Sequence, residues 1–544
     1  MVHQYDFENQ NLKVKTALLS TFDKSGITEF AKKLSSYNIS LVATGGTQSA
    51  LEKAGLQVTS LDKIGHFPEM LDGRVKTLQP EIFAGILAKK SSPEHMTQIT
   101  EKGIATIDMV VCNFYAFEKT ASRQESGEGE LIEMIDIGGP SIVRASAKNF
   151  GSVCAVPATE FYSEIAKELE ELNGSISYET RKKMALAAFE IVAGYDIAIY
   201  NSLNSRLTGQ EFPNSFFLPA KSFEVPKYGE NPDQKAMVYS IKGANGGLPE
   251  WKQLFGDVRS YNNYLDIASS YEILEGFEDH PAAATVKHGQ ISGFAFSTSL
   301  ADAYRLAHAC DPEADFGNTT VLNRTVDEQT ASLVGKNEGK ADDSVYTEIV
   351  LAPSYQPEAI EILKHKQKKK MRIIQTSSPS SYPYDLKVME GLALVQKPAD
   401  YSKKLSRTSV TVETRTKVDD RSFEILLGLW EIVRRVESNG IVVGDGDLSS
   451  SGKLEKLWTY GVGTFRKRNG ATKIALDNAG DRAQGAYCAS DGFFPFPDSV
   501  ELLGKAGVKG IIQPGGSQSD KKVVETSDKY AIPMLFTHVR AFKH

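Results

Sequence analysis

Polar and apolar positions along the first 160 residues follow two periods. Val14 to Leu19 and Ile39 to Ala43 are short β-branched and apolar runs with the length and content of buried strands, whereas Ile27, Phe30, Ala31 and Leu34 recur at helical spacing. A polar corner separates each strand from the next helix. Ser20 to Ser25 follows the first strand, and Thr44-Gly45-Gly46-Thr47 follows the second and leads into Gln48 to Ala54, which has the composition of a helix start. Met109 to Cys112 and Val153 to Val156 continue the strand series, so residues 14–157 predict a doubly wound α/β domain. The pattern then turns helical over residues 158–207. Within Tyr178 to Leu207, Met184, Ala185, Ala188, Phe189, Val192, Ala193 and Ile197 recur at helical spacing up to Gly209. Pro213, Pro219 and Pro226 with their polar neighbours read as a linker, which divides the chain into domains 1–210 and 211–544.

The second domain again mixes strand and helix patterns, with loops expected at Gly335 to Asp343 and Asp445 to Gly452. Its end predicts a helix from Asp498 to Ala506, a strand from Gly510 to Ile512 and a glycine turn at Gly515-Gly516-Ser517. A helix from Ser519 and a strand from Met534 to Thr537 follow. No short-period repeat or long low-complexity tract is legible.

Composition narrows the function class. At 544 residues the chain exceeds a single core, and its 41% hydrophobic and 24% charged content is ordinary for globular domains. A net charge of −7 disfavours nucleic acid as the main partner. The basic run Lys364 to Lys370 lacks interleaved aromatics and reads as a solvated face. Cys112, Cys154, Cys310 and Cys488 are far apart, without metal or redox spacing. With no signal peptide or apolar run of membrane-spanning length, the expectation is a cytoplasmic protein with reduced thiols, no membrane partner and no catalytic metal.

The first candidate chemistry is an anion site. Glycines let a backbone approach a phosphate closely, and the free N–H groups at a helix N-terminus favour an anion. In open α/β sheets ligands bind at the carboxyl ends of strands, so the corner holding Ser20, Thr21, Lys24 and Ser25 and the corner Thr44 to Thr47 would make one pocket. Gly73-Arg74-Val75-Lys76-Thr77 adds a Lys/Arg cluster. Alone, Gly-Gly-Thr is more often a plain βα connection, so the remaining motifs decide.

Asn113-Phe114-Tyr115, Asp136-Ile137-Gly138-Gly139 and Arg144-Ala145-Ser146-Ala147-Lys148-Asn149, taken with Gly73 to Pro80, resemble the IMP cyclohydrolase domain of the bifunctional AICAR transformylase/IMP cyclohydrolase family. The second half resembles the same family through Lys227-Tyr228-Gly229-Glu230-Asn231-Pro232, Val286-Lys287-His288, Phe316-Gly317 and Leu322-Asn323-Arg324. Ser490 to Phe496, Gln513 to Ser517 and the terminal Val539 to His544 complete the match.

The resemblance implies a methylglyoxal-synthase-like doubly wound domain followed by cytidine-deaminase-like α/β transformylase subdomains. It implies formyl transfer from 10-formyltetrahydrofolate, a cosubstrate, to AICAR, then dehydrative closure of the product FAICAR to IMP, in a homodimer. By the same resemblance Ser20, Lys24, Gly46 and Thr47 hold the substrate phosphate, Lys76, Tyr115, Asp136 and Lys148 surround the ring as catalytic residues, and Arg74, Thr77, Asn113 and Gly138 complete substrate binding. Asp136 also admits the plainer reading of a helix cap. In the transformylase half Lys287 and His288 are the catalytic pair, with Lys227, Tyr228, Asn439, Arg468, Asp498 and Arg540 binding substrate and Phe542 and His544 matching family positions.

The residue types suit that chemistry. An aromatic amine is a weak nucleophile, so formyl transfer needs a base, the role of His288, and a cation or acid, the role of Lys287. Adjacent strand residues point oppositely, so the pair is expected at a loop or strand end. Departures concentrate in this half. Asp233 and Lys227 stand where the family usually has His and Arg, Gln290-Ile291-Ser292 follows His288, and the Gly461 to Arg468 stretch is altered. In the first half Gln79 replaces the usual His. These leave a second reading, a cyclohydrolase whose other half uses another formyl donor or is inactive. A non-catalytic phosphate-sensing module would give Lys76, Tyr115, Asp136 and Lys148 no reason to occur together. A zinc deaminase would need the Cys-x-x-Cys that the sequence lacks.

Overall fold

The strands of the first half are apolar on both sides because helices cover both of their faces. The structure is a computed structural model that describes residues 10–65, 70–123, 125–335, 346–367 and 371–544. It divides into two compact units, Met1–Pro219 and Ala220–His544. In the first unit β1 (Thr16–Thr21), β2 (Ser40–Ala43), β3 (Thr59–Ser60), β4 (Met109–Asn113) and β5 (Cys154–Val156) form a parallel sheet in the order β3-β2-β1-β4-β5. Leu19, Leu41, Val111 and Val156 face α1 (Ile27–Ser36) and α5 (Tyr162–Glu171). Leu18, Val42, Val110 and Ala155 face α3 (Pro80–Leu87), α4 (Gly138–Lys148) and α6 (Tyr178–Thr208).

The helix leaving β1 packs on one face and the one entering β5 packs on the other. The strand order therefore reverses between β1 and β4, and a crevice opens at their carboxyl ends. Thr21 pairs with Asn113 at that edge. Helix α2 begins at Gly45 and ends at Lys53, so the glycine pair expected to precede the helix forms its first turn instead.

Helix α6 buries Arg181, Met184, Ala185, Ala188, Val192 and Tyr195. Phe189 and Ala193, expected on the core stripe, lie on the exposed side. By length and composition α6 is the one helix among the described residues that could cross a membrane. Its stripe packs on the sheet, and Arg181 is buried, donating to the carbonyls of Phe150, Ile176, Gln10 and Gly151, so α6 serves as a core helix here.

In the second unit one β-α-β-β-α-β-α-β-α-β series occurs twice. The first copy runs β6 (Lys252–Phe255), α7 (Tyr261–Ile273), β7 (Ala282–Lys287), β8 (Gln290–Phe296), α8 (Leu300–His308), β9 (Asn318–Leu322), α9 (Glu328–Leu333), β10 (Thr347–Ala352), α10 (Pro357–Gln367) and β11 (Arg372–Gln375). The second runs β12 (Thr411–Val412), α11 (Asp420–Val433), β13 (Gly440–Leu448), β14 (Leu454–Thr464), α12 (Arg468–Ala479), β15 (Tyr487–Ser490), α13 (Asp498–Lys505), β16 (Gly510–Gln513), α14 (Asp520–Lys529) and β17 (Met534–Phe536). The copies share one sheet because β8 pairs antiparallel with β14, at Ala295 with Trp458 and Phe296 with Leu457.

Two sequence readings are corrected here, and the carboxy-terminal glycine turn is already filled. Asp445 to Leu448 continue β13, because they pair with Trp458 back to Leu454, so the loop shrinks to the turn after Leu448. Ala220–Glu224 is a strand paired with Val238–Ile241, inside what reads as linker. The glycine turn at Gly515-Gly516 is not an open anion seat, since the Asp520 carboxylate accepts from the amides of Gly516 at 2.7 Å and Ser517 at 3.1 Å. Of the loop expected at Gly335 to Asp343, residues 336–343 lie outside the described residues, as do Lys368 to Lys370 of the basic run.

Candidate active sites

At the β1–β4 crevice the two strand-to-helix corners are tied to each other. Thr47 is buried, and its Oγ1 accepts from the Thr21 amide at 3.1 Å and donates to the Thr21 carbonyl at 3.2 Å. Thr44 Oγ1 donates to Ser20 Oγ at 3.2 Å. Thr44 makes no side-chain cap, the first turn of α2 carries no acidic residue, and a Cβ at Gly46 would meet nothing within 4 Å. The N–H groups at the start of α2 therefore face open space with the positive end of the helix dipole.

Beside that opening Lys24 Nζ shares the Thr21 carbonyl with Thr47 Oγ1, and the Lys76 charge acts on Lys24. Lys24 is exposed along its length, but its ammonium turns in to donate to the Thr21 carbonyl. Burial, then the nearby Lys76 charge, holds its pKa below the usual lysine range, partly offset by Asp23. Two like charges near one helix N-terminus are a site for an anion. Gln79 Nε2 donates to the Lys76 carbonyl at 2.9 Å, so the residue that departs from the family pattern anchors the segment carrying the lysine.

Asp136 lies deeper. Burial pushes its carboxyl above the ordinary range, against the pull of the Gly139, Tyr115 and Gly138 amides and of Lys76. Its Oδ1 accepts from the Gly139 amide at 2.8 Å at the start of α4, so the cap reading is correct and coexists with a place beside Tyr115 and Lys76. Tyr195, a residue the sequence reading missed, fixes this loop. Its hydroxyl accepts from the Asp136 amide at 2.8 Å and donates to the Met134 carbonyl at 3.0 Å, while burial pushes its pKa up to about 12. The only sequence signal was its place on the apolar stripe of α6. The Tyr115 ring lies tilted at 54° against Phe22, with 5.3 Å between ring centres.

Other predicted residues are positioned differently. The Asn113 side chain is spent on the β1 corner, accepting from the amides of Phe22 at 2.7 Å and Asp23 at 2.8 Å and donating to the Asp23 carbonyl. Arg74 is exposed and paired with Glu133. Thr77 is buried, and its Oγ1 lies 2.4 Å from where a Cβ on Gly138 would sit, so only glycine lets these segments meet. Lys148 is not brought to this crevice. Helix α4 starts at the carboxyl end of the sheet and runs about 16 Å the other way. Lys148 is therefore exposed near the opposite edge, where Cys154 pairs with Met109 at the strand starts.

In the second unit Lys287 ends β7, and His288 with Gly289 forms the two-residue turn to Gln290. A hairpin turn splays consecutive side chains off one corner, which is how the Lys-His pair escapes strand alternation. Lys287 Nζ donates to the Phe316 carbonyl at 2.8 Å. The pair lines an open cleft with Gln290, Ser292, Asp311 and Asn478.

Gln290 ties this turn to the second copy, donating to Glu437 Oε2 at 2.5 Å and accepting from Thr464 Oγ1 at 2.8 Å. Beyond Glu437, the Asn439 side chain donates to the carbonyls of Phe465 and Arg466 and accepts from Arg468 at 2.8 Å. Arg468 does not reach solvent. It is buried in an ion pair with the fully buried Asp491, and Ser490 Oγ accepts a further bond at 3.0 Å. Its fork holds protein groups, so the structure gives it an internal job where the resemblance implied a substrate-binding residue.

The terminal segment lies against this corner. The Ala541 amide donates to the Asp491 carbonyl, the Ser438 amide to the Lys543 carbonyl, and Lys543 Nζ to Glu272 on α7. Arg540 stacks on Phe542 at 4.5 Å and stays exposed. Asp498 is exposed at the start of α13. Lys227 and Tyr228 dock by backbone bonds with Arg259 and Tyr261 at the entry to α7, and Asp233 is exposed. Among the described residues no group of three or more His, Cys, Asp or Glu side chains could hold a metal ion.

The chain resembles known proteins over both units. A family model described as AICARFT/IMPCHase bienzyme matches residues 146–478, and one described as MGS-like domain matches residues 26–141. The bifunctional purine biosynthesis protein PurH of Acetivibrio thermocellus is 39% identical over 538 residues, covering 98% of this chain and 100% of its own. PurH of Listeria monocytogenes serotype 4b is 39% identical over 534 residues with the same coverage, and that of Halalkalibacterium halodurans 38% over 532 residues, 97% of this chain and all of its own. Among solved structures, that of ForH is 30% identical and covers 35% of this chain and 99% of its own, with a TM-score of 0.32.

Proposed function

The chain belongs to the family of bifunctional enzymes that join AICAR formyltransferase to IMP cyclohydrolase, and from that premise we propose how its residues divide the last two steps of IMP biosynthesis. The MGS-like first unit closes FAICAR to IMP, and the second unit makes FAICAR from AICAR with 10-formyltetrahydrofolate as formyl donor. The observation that carries the first assignment is that Lys24 donates to the same Thr21 carbonyl as Thr47 at the start of α2, while the Lys76 charge acts on both Lys24 and Asp136.

In ring closure the carboxamide nitrogen attacks the formyl carbon of the same molecule. A C–N bond forms, the carboxamide nitrogen gives up one of its two protons and the formamide nitrogen its own, and the formyl oxygen leaves with them as water as its bond to carbon breaks. Such a step needs holding and charge stabilisation more than a nucleophile. The substrate phosphate sits on the α2 amides, Lys24 and Ser20. Lys76 and Tyr115 polarise the formyl oxygen, and Asp136, with its carboxyl raised by burial, carries the amide proton. Lys148 takes no part in this arrangement within one chain.

In formyl transfer the AICAR amine attacks the formyl carbon, His288 accepts the amine proton, and Lys287 supports the oxyanion or protonates the folate nitrogen as its bond to carbon breaks. Arg540 is an exposed guanidinium at the Asn439 corner and serves as a phosphate or carboxylate clamp. The reading with an inactive or differently supplied second half is not favoured, since the relatives match this chain through both halves. A cytoplasmic location and a homodimer complete the proposal and rest on family membership.

The test is an assay of the purified chain with AICAR and 10-formyltetrahydrofolate that follows tetrahydrofolate release and IMP separately. Both products are expected, and His288→Ala is expected to lower tetrahydrofolate release by roughly 10²–10⁴-fold while conversion of supplied FAICAR continues. Conversion of FAICAR alone by the unaltered chain would overturn the transformylase assignment.

A further inference from the structure

The turn that presents His288 is an unusual place for a histidine. Its two central residues both have positive φ, 51° at His288 and 76° at Gly289, the type I′ geometry that Asn-Gly or Gly-Gly fills most easily. A non-glycine residue in the left-handed region persists where its surroundings hold it. Here a specific bond does so from one side. Asp266, half-buried on α7, accepts from the Gly289 amide through Oδ1 at 3.0 Å. The same carboxylate lies within electrostatic reach of the His288 ring, and Ser269, on the same helix, lies 3.4 Å from where a Cβ on Gly289 would sit. From the other side Gln290 is fastened to Glu437 and Thr464. The turn is thus suspended between a helix of the first copy and the hairpin of the second.

We infer that Asp266 is a positioning residue for formyl transfer: by holding the Gly289 amide it fixes the direction in which the His288 imidazole leaves the turn. The inference rests on the transformylase reading above. Asp266 touches no reacting atom, and its effect passes through the turn. A carboxylate suits the place because its oxygen can accept from the amide while its charge faces the imidazole. An asparagine there would keep the acceptor and lose the charge.

The full-length chain carrying Asp266→Ala or Asp266→Asn is compared with the unaltered chain in three measurements. These are kcat and KM for tetrahydrofolate release, conversion of supplied FAICAR, and the rate at which diethyl pyrocarbonate modifies His288, read by peptide mass. Asp266→Ala is expected to lower kcat for formyl transfer by roughly 10–100-fold with KM for AICAR changed less than about threefold, because misplacing a catalytic group costs rate more than binding. Asp266→Asn is expected to recover most of that loss, and all three chains are expected to convert FAICAR alike. The modification rate of His288 is expected to change in Asp266→Ala and not in Asp266→Asn. Unaltered kcat in Asp266→Ala, or equal damage in Asp266→Asn, would overturn the inference. Should the unaltered chain release no tetrahydrofolate, the transformylase reading fails and the modification rates alone decide whether Asp266 aims His288.

Discussion

Asp136 shows how one residue serves fold and chemistry at once, and how the two conflict. Its Oδ1 caps α4 through Gly139, a bond an asparagine could also accept, while burial makes the charged form costly. Because its folded pKa lies above its unfolded value, the stabilisation it gives is present below the unfolded pKa and is lost as pH rises through the folded pKa. At neutral pH the ionised carboxylate therefore strains the fold. Asp136→Asn is expected to raise the melting temperature at pH 7.5, with the advantage shrinking as pH falls toward 4, and to abolish FAICAR closure throughout. Thermal melts at both pH values check it, and a lower melting temperature at pH 7.5 would contradict the burial argument. Identity, motif and spacing made Lys24, Lys76, Tyr115 and Asp136 legible in the sequence. Neither burial nor direction is written there. Arg468 reads as a substrate-binding residue until Asp491 is seen beneath it, and Lys148 reads as a neighbour of Asp136 until α4 carries it to the far edge.

Between elements, the fit depends on contacts that allow no extra atom. Strands and helices were predicted nearly in place, because both-face burial leaves short apolar runs and helix faces leave a 3.6-residue period. Their close approaches left weaker marks. Gly138 begins α4 against Thr77, which follows Lys76, and a methyl group there would lie 2.4 Å from Thr77 Oγ1. Gly138→Ala must push the Lys76 segment away from Asp136, and overpacking of this kind costs about 1–3 kcal/mol. The expected outcome is a destabilised chain that has also lost most FAICAR closure. Thr77 Oγ1 is buried without a partner, so Thr77→Ala alone is expected to cost little stability. The double variant should recover stability relative to Gly138→Ala, giving a coupling energy of at least about 1 kcal/mol in a double-mutant cycle by denaturant unfolding. Additive effects would show that the segments do not press on each other.

At the scale of the whole molecule, the second unit is two copies of one series in a continuous sheet, and the copies have diverged in use. The β7–β8 turn of the first carries the Lys-His pair, whereas the matching β13–β14 turn of the second lies near Ser449 and Lys453, where the Ser449 amide donates to the Lys453 carbonyl. Sequence periodicity missed the duplication because the repeat is long and survives in topology rather than in identity. Between the copies stands a hairpin, Asp385–Met389 with Leu392–Gln396, that a single chain leaves uncovered. Met389, Leu392 and Leu394 share one face and are 48%, 66% and 53% exposed. A two-stranded hairpin is marginal in water by itself, and an apolar face of this kind calls for a cover. The occupant that the proposed homodimer supplies is a second copy of the chain, and Lys387 on the same hairpin already reaches the carboxyl-terminal His544 beside the Arg540 corner. Light scattering is expected to give a dimer at micromolar concentration and a monomer for Leu392→Glu/Leu394→Glu. Because this face lies beside the Arg540 corner, that variant is expected to lose tetrahydrofolate release while still closing FAICAR. A native chain that stays monomeric across the concentration range would remove the dimer, and a monomeric variant that transfers formyl groups at the native rate would place the whole site within one chain.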